Sequence, residues 1–180
     1  FLAAGHVCTV MGYEQYEPLA ARHEIPIVVT GFEPVDLLSG ILECVRLLER
    51  GQAEVLNRYK RSVSIGGNWH ALPLVEDVYQ ICDRPWRGLG IVPQGGLALR
   101  ESWSQYDALR HFSHAALPVI DSTECRSGEV LTGQIKPVQC EHFAGRCSPE
   151  HPLGAPMVSA EGACAAYYRY APPRTATPKS

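Results

Sequence analysis

The first half of the chain alternates short apolar segments with segments of helical periodicity. Residues 25–30 form a β-branched apolar run of the kind that is buried in parallel sheets. Apolar residues then recur at helical spacing over residues 35–48, with Pro34 in the first turn and Gly51 as a stop signal. This part of the chain therefore predicts a strand, a tight loop and an amphipathic helix.

The same alternation extends on both sides of this unit. Strands that alternate with helices indicate βαβ units around a parallel sheet, so the fold class predicted for residues 1–117 is α/β. The pattern predicts a strand end at 1–4, a loop at 5–12, a helix at 13–23, a weaker strand or an extended arm at 57–65, a helix at 72–82 and a strand at 87–93.

Beyond residue 117 the character of the sequence changes. Helical periodicity disappears until about residue 160, and prolines and glycines interrupt the chain repeatedly. About 40 residues without regular structure persist in a compact domain mainly where a function or a cross-link holds them. We therefore predict a cysteine-rich region at 118–170, closed by a helix at 159–168, and a disordered tail at 171–180.

The cysteine-rich region contains four of the seven cysteines of the chain. Their neighbours are Pro, Gly, Ser and charged residues, so packing explains them less well than it explains Cys44 and Cys82 on predicted apolar helix faces. Two disulfides are one alternative, disfavoured by the odd number of cysteines and by the lack of a recognisable secretory signal. Four thiolates also suit zinc or an iron–sulfur cluster, and wide spacing without a C-x2-C pair favours the cluster. The four cysteines, in the pattern C-x14-C-x6-C-x16-C, are Cys125, Cys140, Cys147 and Cys164.

Three further side chains are candidates for chemistry. His6 follows the first predicted strand, at the edge of an α/β sheet where ligands collect, although such a residue also serves local hydrogen bonding. Glu33 precedes a helix, where the helix dipole favours a carboxylate and capping is the alternative to catalysis. Glu161 lies three residues before Cys164, as a residue that starts a helix or relays protons.

Composition narrows the classes of partner. The chain of 180 residues is 46% hydrophobic and 19% charged, with a net charge of −3 and a pI near 6.2. These values give no electrostatic reason to expect nucleic acid or an anionic membrane, and no apolar run approaches the roughly 18 residues of a bilayer span. Phosphate-loop, dinucleotide, hydrolase and zinc-protease motifs do not occur. We expect part of a longer cytoplasmic protein, with neither nucleic acid nor membrane as a partner.

Several long phrases resemble one known family. FLAAGHVCTVMGYEQYEPLA, PIVVTGFEPVDLL and WRGLGIVPQGGLALR are similar to the middle domain of HypD, a family of hydrogenase formation proteins. SGEVLTGQIKP and SAEGACAAYYRY resemble its C-terminal part, so the resemblance covers residues 1–170. It implies that Cys125, Cys140, Cys147 and Cys164 bind a [4Fe–4S] cluster. It also places His6 at a cleft associated with iron handling and Glu33 in the wall of that cleft.

The resemblance further implies a role in assembling the Fe(CN)2CO unit of [NiFe]-hydrogenase. A HypD-like protein would act as a scaffold with redox capacity, more than as a conventional enzyme, and would handle a transient iron carrying CN and CO. Its partners would be a HypC-like small chaperone and a HypE-like cyanide donor. The family's N-terminal thiol motifs do not occur in this sequence, so we expect the chain alone not to complete the assembly. The alternative is an α/β interaction domain, stabilised by zinc or a cluster, without a redox role.

Overall fold

The structure, a computed structural model, describes residues 1–112 and 124–171. The chain divides into two compact units, Phe1–Tyr79 and Gln80–Ser180. The boundary expected between residues 117 and 118 falls outside the described residues, and it stays a prediction. The predicted tail also lies outside them apart from its first residue. No helix of the described parts is long and apolar enough to cross a membrane.

The first unit is built on a parallel sheet of three strands, β1 (Leu2–Ala4), β2 (Ile27–Thr30) and β3 (Val55–Asn57), in the order β1-β2-β3. Leu2 pairs with Val28, and Ile27 pairs with Val55. All four residues of β2 are buried, as the apolar run at 25–30 predicts for a central strand. The mixed α/β class with a parallel sheet is thereby confirmed.

Helices connect these strands. The predicted helix after β2 is confirmed with bounds close to those expected, whereas the helix expected at 13–23 begins with a single 3-10 turn, Glu14–Tyr16. The helices of the unit are α1 (Gly5–Met11), α2 (Glu17–His23), α3 (Pro34–Glu49) and α4 (Ala71–Val78).

Two local predictions in this unit are wrong. Residues 5–11 form α1 and not a loop, because six residues without a breaker follow Gly5, and the helix is capped only at Gly12, whose φ is 76°. The weaker strand or extended arm expected at 57–65 is also absent, because β3 ends at Asn57. Its amide accepts a hydrogen bond from the N–H of Tyr59 at 2.7 Å and donates to the carbonyl of Val63 at 2.8 Å, which turns the chain away from the sheet.

The two faces of the sheet are covered differently. On one face Val29 packs with Cys8 of α1 and with Val63, and partly buried tyrosines surround them. On the other face α3 approaches closely, because Gly40 has no side chain beside Thr30. The Thr30 hydroxyl donates a 2.7 Å hydrogen bond to the carbonyl of Asp36. Successive side chains of β2 thus contact opposite layers, as strand geometry requires.

The burial of α3 reverses what its periodicity suggests. An amphipathic helix ordinarily turns its apolar stripe to the core. Here Leu47 and Gly40 face the sheet together with two carboxylates, Asp36 bound by Arg61 and Glu43 bound by Arg58. The apolar residues, 44–77% exposed, lie elsewhere on the helix; we call them the α3 outer stripe, which consists of Val35, Leu38, Ile41, Leu42, Val45 and Leu48.

The second unit contains a two-stranded sheet and several short helices. β4 (Tyr79–Trp86) and β5 (Gly90–Leu99) pair across a connection of three residues. The helix predicted at 72–82 therefore stops at Val78, and Cys82 lies in a strand, because pairing with β5 overrides the helical spacing. The remaining elements are 3-10 turns at Glu101–Tyr106 and Pro137–Gln139 and helices α5 (Ala108–His111), α6 (Ser127–Leu131), α7 (Ala155–Val158) and α8 (Ala163–Tyr170).

A small core joins the last two helices to the loop before them. Met157 of α7 and Ala165 of α8 are 1% and 4% exposed and pack on Cys147. Phe143 and Leu153 border this cluster. The loop-rich stretch around the cysteines is thus anchored by apolar contacts, although helical periodicity is too short there to be recognised in the sequence.

Candidate functional site

The four cysteines of the pattern lie around one pocket in the second unit. They come from different segments: Cys125 precedes α6, Cys140 ends the 3-10 turn Pro137–Gln139, Cys147 lies in the following loop and Cys164 is in the first turn of α8. All of them are free thiols. We call this the thiol pocket, and its lining consists of Cys125, Arg126, Ser127, Val130, Cys140, Phe143, Cys147, Gly154, Pro156, Met157 and Cys164.

One glycine makes room for the first thiol. A Cβ built on Gly154 would collide with Sγ of Cys125 and would lie 3.4 Å from its Cβ. A side chain at position 154 would therefore push Cys125 out of the thiol pocket. The sequence offers no local sign of this requirement, because the residue that needs the space is distant along the chain.

The electrostatics of the thiol pocket disfavour several thiolates without a compensating cation. Burial first, and then charge repulsion from the nearby Cys147, Cys125 and Cys140, raise the pKa of Cys164 to about 11. A bound cation reverses this effect, because metal ligation requires the deprotonated sulfur. Four thiol donors in a largely apolar pocket are thus chemically suited to a soft metal.

Two polar groups of the chain lie beside the sulfur atoms. The backbone N–H of Leu153 donates to Sγ of Cys147 at 3.5 Å. Arg126 lines the pocket, and Glu129 accepts hydrogen bonds from its guanidinium at 2.7 and 2.6 Å. Hydrogen bonding to Glu129 is the main reason why the pKa of Arg126 is raised, with a smaller contribution from the nearby Cys140. The N–H of Leu153 is a hydrogen-bond donor to a thiolate, and Arg126 is a nearby positive charge; sequence reasoning missed both.

Four thiols can bind either one zinc ion or an iron–sulfur cluster. Within residues 1–112 and 124–171, no group of three or more His, Cys, Asp or Glu side chains converges as a metal ion requires. Around one zinc ion the four sulfurs would approach to about 2.3 Å from the metal. A multinuclear cluster binds each thiolate to a different iron and accepts sulfurs that are farther apart. The donor set therefore suits either zinc or an iron–sulfur cluster, which metal analysis of the protein distinguishes.

Replacing Gly154 with alanine is expected to displace Cys125 and to lower metal retention. Overpacking of this kind typically costs about 1–3 kcal/mol. Urea unfolding and the metal content of the purified protein measure both effects. Gly145→Ala is the matched control, since a Cβ there meets only the His142 carbonyl oxygen at 3.8 Å. Equal behaviour of the two variants would contradict the assigned role of Gly154.

The first unit brings two other candidates to one edge of its sheet. His6 lies in the first turn of α1, just after β1, and its ring centroid is 5.1 Å from that of Phe32, just after β2. Glu33 is the N-cap residue of α3, but its side chain makes no capping hydrogen bond and lies 3.4 Å from Nη2 of Arg61. His6 and Glu33 are both exposed at the carboxyl ends of neighbouring strands, where α/β sheets collect ligands.

Sequence reasoning missed the ion pair beside them. Nη1 of Arg61 donates to Oδ1 of Asp36 at 2.7 Å, Nη2 contacts Oδ2, and the guanidinium lies 4.5 Å from the ring centroid of Tyr59. Hydrogen bonding to Arg61 is the main reason why the pKa of Asp36 is lowered. The two residues are 25 positions apart, so no local pattern joins them.

The structure places neither the third candidate, Glu161, nor the cysteines Cys8 and Cys44 in these two groups of residues. Glu161 is exposed before α8, where its N–H donates to the Ser159 hydroxyl at 3.2 Å, and it is not part of the lining of the thiol pocket. Cys8 is buried beside the Tyr16 hydroxyl, and burial raises its pKa. Cys44 borders Phe1.

Comparison with known proteins finds one family that matches the chain over both the thiol pocket and the strand ends of the first unit. Residues 1–171 match the family described as HypD, hydrogenase formation hypA family. The chain is 43% identical over 171 residues to the hydrogenase maturation factor HypD1 of Bradyrhizobium diazoefficiens, covering 94% of this chain and 45% of that protein. It is 43% identical over 171 residues to HypD of Escherichia coli (94% and 46%) and 41% identical over 177 residues to HypD of Azotobacter vinelandii (98% and 47%).

These matches agree with the resemblance carried by the sequence phrases, and they run through both units. The chain spans about half the length of the curated relatives that it matches. The match itself nevertheless covers nearly all of this sequence, including His6 and Glu33 at the strand ends and the four thiols. The chain therefore belongs to the HypD family of hydrogenase formation proteins.

Proposed function

We propose that the thiol pocket holds a [4Fe–4S] cluster and that the chain serves [NiFe]-hydrogenase maturation as a scaffold with redox capacity. The carrying observation is that four thiols from separate segments line one pocket. Cys125, Cys140, Cys147 and Cys164 would each bind one iron. Such a cluster, when bound, supplies one-electron transfer at a potential tuned by its surroundings.

The residues around the pocket would hold and shield the four thiolates. Val130 and Met157 exclude water from the sulfur side and so maintain a low local dielectric. The N–H of Leu153 stabilises the thiolate of Cys147, and Arg126 offsets negative charge beside Cys140. These contacts favour retention of an anionic ligand set in a pocket that otherwise keeps Cys164 protonated at neutral pH.

The strand ends of the first unit would handle the iron that is assembled. His6 offers an exposed imidazole, which can bind iron transiently or move a proton, beside the exposed carboxylate of Glu33 at the same sheet edge. The cargo would be an iron atom carrying CN and CO. For Glu161, proton relay stays a sequence prediction.

Partners follow from the family. The relatives are hydrogenase maturation factors by name. We propose a HypC-like small chaperone and a HypE-like cyanide donor as partners, with assembly in the cytoplasm. Because the chain spans about half of these relatives, this part alone is expected to bind the cluster and to require further polypeptide for the complete assembly.

Metal and sulfide analysis of anaerobically purified protein tests the proposal. We expect a brown protein with about four irons and about four acid-labile sulfides per chain, and broad absorption near about 400 nm that decreases on reduction. A colourless protein with one zinc per chain would instead support an interaction domain without a redox role. A disulfide-linked, metal-free protein would contradict both.

A further inference from the structure

The α3 outer stripe is an unusual surface for a helix that packs on a sheet. Its members lie on the side of α3 away from Asp36, Gly40, Glu43 and Leu47, which face the sheet. Val35 and Leu38, at its N-terminal end, are 77% and 67% exposed. The stripe extends over 14 residues, from Val35 to Leu48, or about 20 Å at a rise of 1.5 Å per residue. An apolar surface of this length indicates an interaction site.

The outer side of α3 has fewer polar residues than a helix face that is in contact with solvent usually has. Away from the sheet they are confined to Ser39 and Arg46, with Glu49 as the last residue of the helix and Arg50 after it. The outer side of α3 is therefore mostly apolar, which is typical of a helix face that another layer of polypeptide covers. The side chains of the stripe are thus positioned for a second layer of polypeptide.

The same side of the unit has an open sheet edge. Within the described residues β1 pairs with β2 alone, so its other edge presents backbone groups that can accept a further strand. Beside this edge lies an open, mainly apolar groove that we call the β1 groove. Its lining consists of Phe1, Leu2, Ala3, Tyr16, Leu19, His23, Ile25 and Ile27.

The open edge and the stripe form one continuous surface. Sγ of Cys44 lies 3.8 Å from the carbonyl oxygen of Phe1, so this side of α3 borders β1. Ile41 and Leu48 are the neighbours of Cys44 at helical spacings of three and four residues, and they lie on the stripe. An added strand would therefore contact α3 on one face and Leu19 of α2 on the other.

We propose that this surface is an interface for the polypeptide region that the curated relatives possess beyond the part matched by this chain. Those relatives are about twice as long as the matched part, so they contain a region large enough to cover the surface. That region would add a strand along β1 and an apolar layer over α3. The interface is independent of the metal proposed for the thiol pocket, and it can be tested with metal-free protein.

A second copy of the chain is a poorer occupant. A two-fold axis at this edge would set β1 antiparallel to its own copy, and a strand of three residues offers few hydrogen bonds for such a pair. A parallel strand, by contrast, continues the existing sheet and brings its own covering layer. The geometry thus favours a complementary region over self-association.

Binding of the separately produced complementary region tests the interface. The probe is the part of the Bradyrhizobium diazoefficiens relative that this chain does not match, mixed with the full 180-residue chain. We expect a one-to-one complex by size-exclusion chromatography with light scattering. Leu38→Glu and Val45→Glu should each weaken the affinity at least about tenfold, because a charge would be buried against an apolar layer. Leu109→Glu, at a leucine that is 78% exposed in α5, is the matched control.

Hydrogen exchange on the wild-type chain maps the interface without depending on whether a variant folds correctly. Amides of β1 and α3 should become protected when the probe binds. The proposal is overturned by binding that the two α3 variants leave unchanged, by protection confined to other segments, or by no binding to this probe or to the corresponding part of the Escherichia coli relative. A dimer of the chain alone that Leu38→Glu dissociates would assign the surface to a second copy instead.

Discussion

Replacing Cys140 with alanine is expected to remove essentially all cluster iron from the purified protein. Cys140 lies in the lining of the thiol pocket and would bind one iron of the cluster. With three thiolates left, one iron would lack its protein ligand and the cluster would be exposed to solvent and oxidation. Iron content should fall from about four per chain to near zero, together with the absorption near about 400 nm.

Two other cysteines serve as controls for this effect. Cys44 borders Phe1 in the first unit, and Cys82 lies in β4 of the second, and neither is part of the thiol pocket lining. Cys44→Ala and Cys82→Ala should keep wild-type iron. Circular dichroism of all three variants separates loss of iron from loss of fold. Equal iron in Cys140→Ala and Cys44→Ala would refute the ligand assignment.

Leu47→Ala is expected to destabilise the chain far more than Leu48→Ala, although the two leucines are adjacent on α3. Leu47 is 2% exposed against the sheet, and its truncation leaves a cavity that costs about 2–5 kcal/mol. Leu48 is 62% exposed on the α3 outer stripe, so its truncation should change the free energy of unfolding by no more than about 0.5 kcal/mol. Urea unfolding followed by circular dichroism measures both.

This pair of variants also tests the surface proposed as an interface. If the two substitutions cost the same, Leu48 is covered within the chain itself, and the stripe is not open. If Leu48→Ala is neutral in the isolated chain yet weakens binding of the complementary region, the leucine is buried only in the complex. The stability experiment and the binding experiment thus report on the same side chain in two states.

Short-range sequence pattern is sufficient to predict an element when all of its local signals agree. β2 was predicted because an unbroken β-branched run is compatible with burial on both faces. α3 was predicted because helical spacing, Pro34 and Gly51 agree with one another. Its orientation could not be predicted, since two carboxylates face the sheet through partners, Arg58 and Arg61, that lie beyond the helix.

Predictions failed where pairing over distance decides the conformation. Cys82 fits helical spacing, but hydrogen bonding between β4 and β5 draws it into a strand. Residues 5–12 were expected to be a loop because glycines flank them, yet the six residues after Gly5 are compatible with a helix. The sequence does not indicate that position 154 requires glycine, because the atom that a side chain there would hit belongs to Cys125, which is distant along the chain.

The amino-acid sequence by itself determined the α/β class, the central strand, the long helix, the family and the four cysteines as a set. These properties depend on short-range periodicity or on residue identity, which the sequence contains directly. Only the tertiary structure decided that the four thiols share one pocket and that Arg61 binds Asp36 at the strand ends. It alone showed that the apolar stripe of α3 faces outward, because burial depends on which segments distant in sequence pack together.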